Sequence, residues 1–481
     1  MDKTHITIGD GLRISRIITG MWQVADLERN GSKIDPAAAA DTMNAYAVAG
    51  LDTFDMADHY GSAEEITGTF RMRHPNTPST LLTKWVPDPS AVSREATRAA
   101  VTKALVRMRT ERLDLLQFHA WQYSNPNWLD CLWWLEELKK EGFIANIGVT
   151  NFDTAHLNIA VKSGITISSN QVCHSLLDRR AAVAMADFCL NQNIALLAFG
   201  TLAGGFLSER WLGKPEPNAE LLDTWSQMKY KRFIDQAGGW DRYQELLALL
   251  KSIATSHGST IAQVASKFIL DTPGVSAIII GARFGASDHL NENLRLYDID
   301  LSDEERERII QFTEGSPMIQ GDCGDEYRKP PFLTASGDLS HHLSSLPKPF
   351  RTETDANGRL RVFTGTVWEP MAGYCRAVKD GNMVHVSGTT STHGAKLVGG
   401  SDPSAQTHFI IDKIEGALQS AGATLEQVVR TRIFIKDTSI WEAVARAHGA
   451  RFGHIMPANT MVKAEMIGEE YLVEIEADAV I

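Results

Sequence analysis

The strongest constraint on the fold is an eightfold alternation of short apolar runs and amphipathic helical patterns between residues 14 and 313. Eight strands that are each followed by a helix predict a TIM barrel rather than an open doubly wound sheet. Residues 94–108 and 128–142 are typical of the intervening helices. The predicted strands are residues 16–22, 51–54, 80–85, 113–118, 143–149, 167–172, 194–199 and 276–280.

Two segments lie outside this alternation. Residues 5–14 alternate around a Gly-Asp-Gly turn, which predicts a hairpin that closes the barrel floor. A helical block at 219–254 separates the seventh strand from the barrel helix at 260–270. This block is an insertion on the loop side, where it could act as a lid.

The composition changes after the barrel, which occupies residues 1–313. Residues 314–357 are rich in Gly, Pro, Ser and Asp without periodicity, which predicts a linker. Its aromatic residues Tyr327, Phe332 and Phe350 suggest that it packs on another part of the protein. Residues 358–481 alternate strand and helix patterns and predict a separate α+β domain.

The bulk properties narrow the function classes. A chain of 481 residues predicts two or three domains, and a net charge of −12 argues against nucleic acid or an anionic membrane as partner. The five cysteines show no metal-ligand spacing, so we expect reduced thiols in a cytoplasmic protein and no metal site. The N-terminus lacks a signal-peptide pattern, and no apolar run reaches the ~20 residues of a membrane span.

Polar side chains follow several predicted strands at the point where each strand ends. They are Asp55 and Tyr60, Lys84, His119 and Asn151. The C-terminal ends of barrel strands meet at one mouth. There a phenol could protonate a carbonyl oxygen if a lysine stabilised the phenolate and a carboxylate balanced the lysine. A histidine could orient the carbonyl or pass the proton, so the set predicts carbonyl reduction.

The segments FDMADHYGSAE, LLTKW, LLQFHAW and IGVTNF match the motifs of aldo-keto reductases in order and spacing. Residues 1–313 therefore resemble that family. The resemblance implies that Tyr60 is the proton donor, Lys84 its pKa partner, Asp55 the partner of the lysine, and His119 a base directed at the substrate. The alternative is a pseudo-enzyme or binding subunit built on the same barrel.

The resemblance also implies NADP(H) as cofactor. Arg283 and His289 fall where the family places cations around the ribose 2′-phosphate, although arginine is more usual at the second position. A guanidinium fork there favours NADP over NAD, and the alternative for Arg283 is a surface arginine that caps a helix. The other implied cofactor residues are Thr150, Asn151 and Gln171 for the carboxamide, Phe199 for ring stacking, Gly200, Thr201 and Leu202 for the pyrophosphate, and Gly281 and Asn293 for the adenosine.

Three tryptophans follow predicted strands on the same rim. Trp22, Trp85 and Trp121 come after strands one, three and four. Singly, each could complete the core, but together they favour an aromatic-walled pocket for a bulky or ring-shaped substrate.

Residues 358–481 resemble the RidA/YjgF family of imine and enamine deaminases through GYCRAV, VHVSGTT, RIFIKD, MPANTMV and VEIEADAV. The resemblance implies a trimer, or a hexamer if barrels pair trimers, with sites between subunits. Tyr374, Ser387, Gly388 and Glu474 match site residues, whereas Asn459 replaces the arginine that grips a substrate carboxylate. The tail is then either a hydrolase of an uncharged imine or a domain for oligomerisation or ligand binding.

The leading interpretation is an NADPH-dependent reductase of an aldehyde, a ketone or an imine, oligomerised through its tail. A bifunctional reductase and deaminase is one alternative. The other is a regulatory protein that senses NADPH with negligible turnover.

Overall fold

A computed structural model describes residues 2–28, 31, 33–218, 222, 224–284, 289–328 and 346–481. The chain divides into two compact units. The first unit contains the described residues of 1–121, 134–154 and 167–344, and the second those of 122–133, 155–166 and 345–481. Within the described ranges, no helix combines the length and apolar character needed to cross a bilayer.

The chain begins with the antiparallel hairpin of β1 (His5–Ile8) and β2 (Leu12–Ser15). Ile8 and Ile14 are buried in the apolar cluster inside the barrel. The backbone N–H of Asp10 donates to the Asn146 side chain near the start of a barrel strand, at 2.9 Å. The hairpin thus closes the N-terminal end of the barrel, as the sequence predicts.

Eight parallel strands form a closed barrel in the order β10-β3-β4-β5-β6-β7-β8-β9, which confirms the predicted TIM barrel. Most strand positions are buried on both faces, as expected for a parallel sheet covered by helices. The strands are β3 (Ile17–Gly20), β4 (Thr53–Asp55), β5 (Thr80–Trp85), β6 (Leu113–His119), β7 (Ile144–Thr150), β8 (Ser169–Cys173), β9 (Ala195–Phe199) and β10 (Val275–Gly281).

The helices of this part of the chain are α1 (Trp22–Glu28), α2 (Pro36–Val48), α3 (Ala63–Arg73), α4 (Arg94–Met108), α5 (Asn127–Lys140), α6 (Thr154–Lys162), α7 (Ala184–Gln192), α8 (Trp225–Gln236), α9 (Gly239–Ser256), α10 (Ile261–Leu270), α11 (Leu290–Leu294), α12 (Asp303–Glu314) and α13 (Asp325–Arg328). Helix α4 has the predicted bounds because Ser93 caps its N-terminus and Arg109 ends it in the left-handed conformation. Trp22 was predicted at the end of the first strand and instead begins α1, since β3 leaves the sheet at Gly20.

The predicted insertion at 219–254 contains two helices with different surroundings. Helix α9 buries Tyr243, Leu247 and Leu250 and packs against α10, so it belongs to the outer layer of the barrel. Helix α8 contacts the loop that follows β9, at the mouth. Residues 219–221 and 223 lie outside the described part of this segment.

The tail is an α+β domain, as predicted, with a seven-stranded sheet in the order β11-β12-β13-β14-β19-β17-β18. Strand β11 lies within the segment predicted as a linker and pairs with β12. Phe350 is buried in the tail core, whereas Phe332 lies outside the described residues. The elements are β11 (Arg351–Thr354), β12 (Leu360–Phe363), α14 (Trp368–Ala372), β13 (Ala377–Asp380), β14 (Met383–Thr390), β15 (Thr392–His393), β16 (Lys396–Leu397), α15 (Pro403–Ala421), β17 (Val428–Ile435), α16 (Trp441–Phe452), β18 (Ala458–Lys463) and β19 (Val473–Val480).

Helix α15 packs on one face of this sheet and supplies Ile410, Ile414 and Leu418 to the core. Strand β19 alternates along its whole length, with buried apolar residues toward that core and half-buried carboxylates between them. The other face of the sheet therefore carries charged side chains such as Glu474 and Glu476.

Candidate active site

The barrel mouth brings together the polar residues at the strand ends. Parallel pairing sets Lys84 beside Gln117, and it sets Thr150 between His119 and Gln171. The sequence predicts this convergence because each of these residues lies at or near the C-terminal end of its strand.

Lys84 and Asp55 form a buried ion pair at the base of the mouth. The Lys84 ammonium lies 2.5 Å from one carboxylate oxygen of Asp55, and both side chains are only 4% exposed. The ammonium also donates to the Met56 carbonyl at 2.9 Å. Burial lowers the pKa of Lys84, and the attraction of Asp55 opposes that shift. The pair thus holds a cation at a fixed position.

Tyr60 lies over this cation. The Lys84 nitrogen is 4.9 Å from the centre of the Tyr60 ring. The loop that carries the tyrosine is anchored to β5, because the Asp58 N–H donates to the Lys84 carbonyl at 3.0 Å. A nearby ammonium lowers the cost of forming a phenolate. The geometry therefore suits Tyr60 to proton donation.

His119 occupies the wall of the mouth and is fully buried. Burial holds the pKa of its imidazole well below the ordinary value, and the positive charge of Arg328 adds to this effect. The Thr150 backbone weakly opposes this shift, but neither ring nitrogen makes a hydrogen bond of good geometry with the described residues. A neutral imidazole at this position is suited to hold a carbonyl oxygen by a hydrogen bond.

The amides predicted to bind the nicotinamide carboxamide differ in their surroundings. Gln171 donates to the second oxygen of Asp55 at 2.8 Å and to Gln117 at 2.9 Å. Asn151 adopts a positive φ of 59°. Its side-chain oxygen is buried without a hydrogen-bond partner in the described chain. Thr150 uses its hydroxyl to bind the Gln171 carbonyl at 3.0 Å. Of these amides, Asn151 is therefore the one whose buried side-chain oxygen could accept a hydrogen bond from a ligand.

Phe199 ends β9 and is half-buried at the mouth, and Gly200, Thr201 and Leu202 follow it. Gly200 has a φ of 79°, and a Cβ there would lie 2.2 Å from the Tyr230 hydroxyl, which explains the glycine.

The residues predicted to bind the adenosine phosphate follow β10. Gly281 is exposed at the strand end, and Arg283 follows it. His289 lies 2.6 Å from Glu292, whose carboxylate offsets a positive charge on the imidazole. Asn293 lies in α11 and donates its N–H to the His289 carbonyl. Residues 285–288 lie outside the described chain.

The three predicted pocket tryptophans have different neighbours. The Trp22 ring lies 5.0 Å from the ring of Tyr60, and the Trp121 ring lies 5.0 Å from that of His119. Trp85 is buried and packs against Phe118 at 5.6 Å. Two of the three tryptophans thus contact the proposed catalytic residues.

The sequence predicted that the aromatic residues of the linker pack on another part of the protein, but it did not predict Tyr327 or Lys229 at this mouth. The Tyr327 ring lies 5.8 Å from the His119 ring, and its hydroxyl accepts a hydrogen bond from Lys229 at 2.5 Å. The Lys229 nitrogen lies 5.2 Å from the centre of the Phe199 ring. Tyr327 lies in the predicted linker and Lys229 in the predicted insertion. The only sequence signal for either residue is its type, aromatic or basic, since neither belongs to a recognised motif.

Arg328 fastens the same segment to the barrel. Its guanidinium donates to the carbonyls of Ala120, at 2.8 Å, and Asn151, at 2.6 Å. Gly324 has a φ of 83°, and a Cβ there would lie 2.0 Å from the Asn151 carbonyl oxygen. The close approach therefore requires glycine.

A second cluster of polar residues lies in the tail. Arg376 is 3% exposed and donates to the Tyr374 hydroxyl at 3.0 Å and to the Gly388 carbonyl. Glu474 lies so close to Gly388 that a Cβ there would be 2.0 Å from the carboxylate. Burial raises the pKa of Glu474. Arg376 was not singled out, although it lies two residues beyond Tyr374.

Asn459 and Ser387, the other tail residues predicted for the site, make hydrogen bonds outside the cluster of Arg376, Tyr374 and Glu474. The Asn459 amide donates to the Thr431 hydroxyl at 2.9 Å, and Thr431 lies on the sheet face that α16 covers. Glu474 lies on the other face, so a single chain does not bring these two residues together. The Ser387 hydroxyl donates to the Cys375 carbonyl at 2.9 Å.

Two family models match the chain and confirm both resemblances. Residues 16–314 match the Aldo/keto reductase family, and residues 365–481 match Endoribonuclease L-PSP.

Parts of the chain are similar to individual proteins. Protein tas of Escherichia coli is 28% identical over 302 residues, which cover 54% of this chain and 84% of that protein. A glycerol dehydrogenase from Gluconobacter oxydans shares the fold, with a TM-score of 0.55 and 20% identity over 67% of this chain and 98% of the other. A YjgF/YER057c/UK114-family protein of Mycobacterium tuberculosis is 44% identical over 26% of this chain and 99% of its own, with a TM-score of 0.24.

Proposed function

Since this chain belongs to the aldo/keto reductase family, we propose that its barrel reduces an aldehyde, a ketone or an imine with NADPH. The observation that carries the proposal is the Lys84 ammonium, held 2.5 Å from Asp55 and 4.9 Å from the centre of the Tyr60 ring. A buried, paired cation beside a phenol stabilises the phenolate that forms when the phenol donates its proton.

Each residue of the mouth has a role in this reaction. NADPH, when bound, would supply the hydride to the carbonyl carbon. Tyr60 gives its hydroxyl proton to the carbonyl oxygen, and Lys84 stabilises the phenolate that remains. Asp55 holds the ammonium in place, and the neutral imidazole of His119 binds the carbonyl oxygen and orients it.

The residues present fit a dinucleotide phosphate cofactor. The buried side-chain oxygen of Asn151, which has no partner among the described residues, is suited to the carboxamide N–H groups. The Phe199 ring offers a stacking surface for the nicotinamide. Arg283 would meet the 2′-phosphate, and its planar guanidinium favours NADPH over NADH.

The Tyr60→Phe variant of the full chain tests this function. With NADPH and para-nitrobenzaldehyde, we expect NADPH oxidation to fall by about 10²–10⁴-fold while NADPH binding, measured by fluorescence, is retained. The matched control is Tyr297→Phe, which removes a phenol that bonds the Ile17 N–H and the Thr4 carbonyl at the opposite end of the barrel. Unchanged turnover in Tyr60→Phe would overturn Tyr60 as proton donor. Tight NADPH binding without turnover across a carbonyl panel would favour the sensor.

The tail cluster favours a second function, the hydrolysis of an uncharged imine. Glu474, with its raised pKa, could move protons, and the Tyr374 hydroxyl could hold the substrate nitrogen. We expect ammonia release from an uncharged imine to disappear in Glu474→Gln while NADPH oxidation continues. Absence of ammonia release in the wild type would leave the tail an oligomerisation or ligand-binding domain.

The open face of the tail sheet supports oligomerisation. It carries the Arg432–Glu476 ion pair, and Val429 and Val462 are exposed apolar residues on its strands. We expect a trimer, or a hexamer built from two trimers, in light scattering coupled to size-exclusion chromatography. A monomer at micromolar concentration would contradict this expectation.

A further inference from the structure

We infer that Glu28 positions Tyr60 for proton donation by binding Ser62, which lies two residues after the tyrosine. The inference rests on the proposed function of the barrel, because it concerns how the proton donor is held. Glu28 is the last residue of α1. It acts through the loop that carries Tyr60, so it is a positioning residue rather than a catalytic one.

Tyr60 differs from its partners because it lies on a loop. Asp55 ends β4 and Lys84 lies within β5, so the barrel sheet fixes both backbones. The loop with Tyr60 runs from the end of β4 to the start of α3 at Ala63. Proton donation needs the hydroxyl close to the carbonyl oxygen, and a misplacement of about 1 Å can cost about 10²-fold in rate. The loop therefore needs contacts that fix it.

The N-terminal half of this loop is bound to β5. The Met56 N–H donates to the Leu82 carbonyl at 2.9 Å, and the Asp58 N–H donates to the Lys84 carbonyl at 3.0 Å. These bonds extend the pairing of β4 with β5 beyond the last residue of β4. They all precede Tyr60, so they fix the chain on one side of it.

Glu28 binds the chain on the other side of Tyr60. One of its carboxylate oxygens accepts the Ser62 backbone N–H at 2.9 Å, and the other accepts the Ser62 hydroxyl at 2.7 Å. The second oxygen also accepts the Ile34 N–H at 3.3 Å. Hydrogen bonds to an ionised carboxylate are stronger than those between neutral groups. Both oxygens of Glu28 therefore hold the C-terminal half of the loop.

Two features of the loop fit a carboxylate at this position. Ser62 is the N-cap residue of α3, yet its side chain makes no capping hydrogen bond within this fully described helix. Its hydroxyl donates to Glu28 instead, and the helix dipole favours a negative charge at this end. Gly61 has a φ of 52°, and a Cβ there would lie 2.3 Å from a Glu28 carboxylate oxygen, which explains the glycine.

Helix α1 also contacts the tyrosine ring. The Trp22 ring at the start of this helix lies 5.0 Å from the Tyr60 ring, with the planes at 72°. The Lys84 nitrogen lies 4.9 Å from the centre of the same ring. Loss of the contact between Glu28 and Ser62 would let the tyrosine move relative to both groups. The ammonium would then stabilise the phenolate less well.

The test uses the full-length Glu28→Ala variant with NADPH and para-nitrobenzaldehyde. We expect kcat to fall roughly 10-fold, with NADPH affinity, measured by fluorescence, within about twofold of the wild type. The solvent deuterium isotope effect on kcat should rise, because a displaced hydroxyl slows proton transfer relative to the other steps. A role limited to stability would lower the melting temperature and leave this isotope effect unchanged.

Two milder variants test the same contact if Glu28→Ala folds poorly. Glu28→Gln keeps an oxygen that can accept the Ser62 N–H and gains an N–H that can donate to the Ser62 hydroxyl, so it should retain most of kcat. Ser62→Ala removes one of the two bonds and should lower kcat by a smaller factor than Glu28→Ala. The double variant Glu28→Ala/Ser62→Ala should have a kcat within about twofold of Glu28→Ala, because both changes break one contact.

The matched control is Glu305→Ala. Glu305 also accepts the N–H and the hydroxyl of one serine, Ser302, at 2.9 and 3.1 Å. This contact lies at the start of α12, which packs against α9 in the outer layer. The kcat and the isotope effect of this variant should match those of the wild type.

Three results would overturn the inference: an unchanged kcat in Glu28→Ala, a lower kcat with the wild-type isotope effect, or additive losses in the double variant. Each of them can coexist with an inactive Tyr60→Phe variant. A wild type that reduces no carbonyl would instead refute the proposed function itself.

Discussion

The barrel and the tail each assemble a phenol, a buried cation and a carboxylate, but they connect them differently. The two sets are Tyr60, Lys84 and Asp55 in the barrel and Tyr374, Arg376 and Glu474 in the tail. In the barrel, the cation binds the carboxylate directly at 2.5 Å. In the tail, the cation binds the phenol at 3.0 Å, and burial leaves the carboxyl group with a raised pKa.

This difference determines which group can carry a proton. A cation neutralised by its carboxylate keeps its position and can stabilise a phenolate, so the barrel phenol is the acid that we propose. A guanidinium that already binds the phenol holds that hydroxyl in place, so the tail carboxyl group is the better proton carrier. Similar residue types are thus connected differently in the two domains, and our two proposals for their chemistry differ accordingly.

The largest expected effect comes from breaking the barrel ion pair. Lys84→Met leaves Asp55 buried without its cation, so we expect a loss of about 3–5 kcal/mol in stability and loss of NADPH oxidation. Thermal unfolding and steady-state kinetics measure the two effects.

The double variant Asp55→Asn/Lys84→Met separates the effect of the buried charges on stability from their effect on turnover. It removes both charges, so stability should recover while turnover stays lost. Recovery of turnover in the double variant would show that the ammonium is dispensable and would break the comparison between the two sites.

The tail site is tested by Gly388→Ala. The new Cβ would lie 2.0 Å from the Glu474 carboxylate, so we expect the tail to lose about 1–3 kcal/mol while NADPH oxidation stays within about twofold. Gly449→Ala is the control, because its Cβ meets nothing within 4 Å in α16, and it should stabilise the tail. Equal unfolding midpoints for the two variants would contradict the proposed contact.

The segment that covers the barrel mouth is tested by Gly324→Ala. Its Cβ would collide with the Asn151 carbonyl, so the segment that carries Tyr327 should shift and KM should rise. The control is Gly213→Ala, because Gly213 has a similar φ of 71° and no atom lies within 4 Å of a Cβ there. This variant measures only the loss of stability, about 1 kcal/mol, from placing alanine at a positive φ. The same KM in both variants would show that Tyr327 does not line the substrate pocket.

The smallest expected effect is a pH dependence of stability that comes from Asp322 in the barrel unit. Like Glu474, Asp322 is a carboxyl group whose pKa is raised by burial. Burial, assisted by Asp153, raises the pKa of Asp322 to about 6. A raised pKa means that the folded chain binds the proton more tightly, so this group lowers stability as the pH rises from about 4 to about 6. The melting temperature of Asp322→Asn relative to wild type should therefore rise over this pH range. The same measurement on Asp187→Asn, which changes an exposed carboxyl group, is the control.

The sequence predicts most of the fold because apolar periodicity is a local signal. The eight barrel strands, the floor hairpin and the α+β tail are confirmed. The convergence of Lys84, Asp55 and His119 follows from one topological rule, since parallel strands end at one mouth. The cofactor and substrate assignments stay predictions, although the structure places Asn151 and Phe199 at that mouth.

The positions of side chains from irregular segments could not be predicted in this way. Tyr327 and Arg328 lie within a stretch without periodicity, and Lys229 lies in the insertion for which the sequence suggested a lid but no particular contact. Each reaches the mouth through hydrogen bonds that form only when distant segments meet. No repeat in the sequence encodes such contacts.

The amino-acid sequence by itself determined the barrel and the tail, because strand and helix periodicity are properties of short segments. It also predicted the residues of the Tyr60 site from their positions at strand ends. Only the tertiary structure decided that Arg376 binds Tyr374 and that Asn459 faces away from Glu474. These relations depend on which face of a strand a side chain occupies and on how much water reaches it. Both are properties of the packed chain.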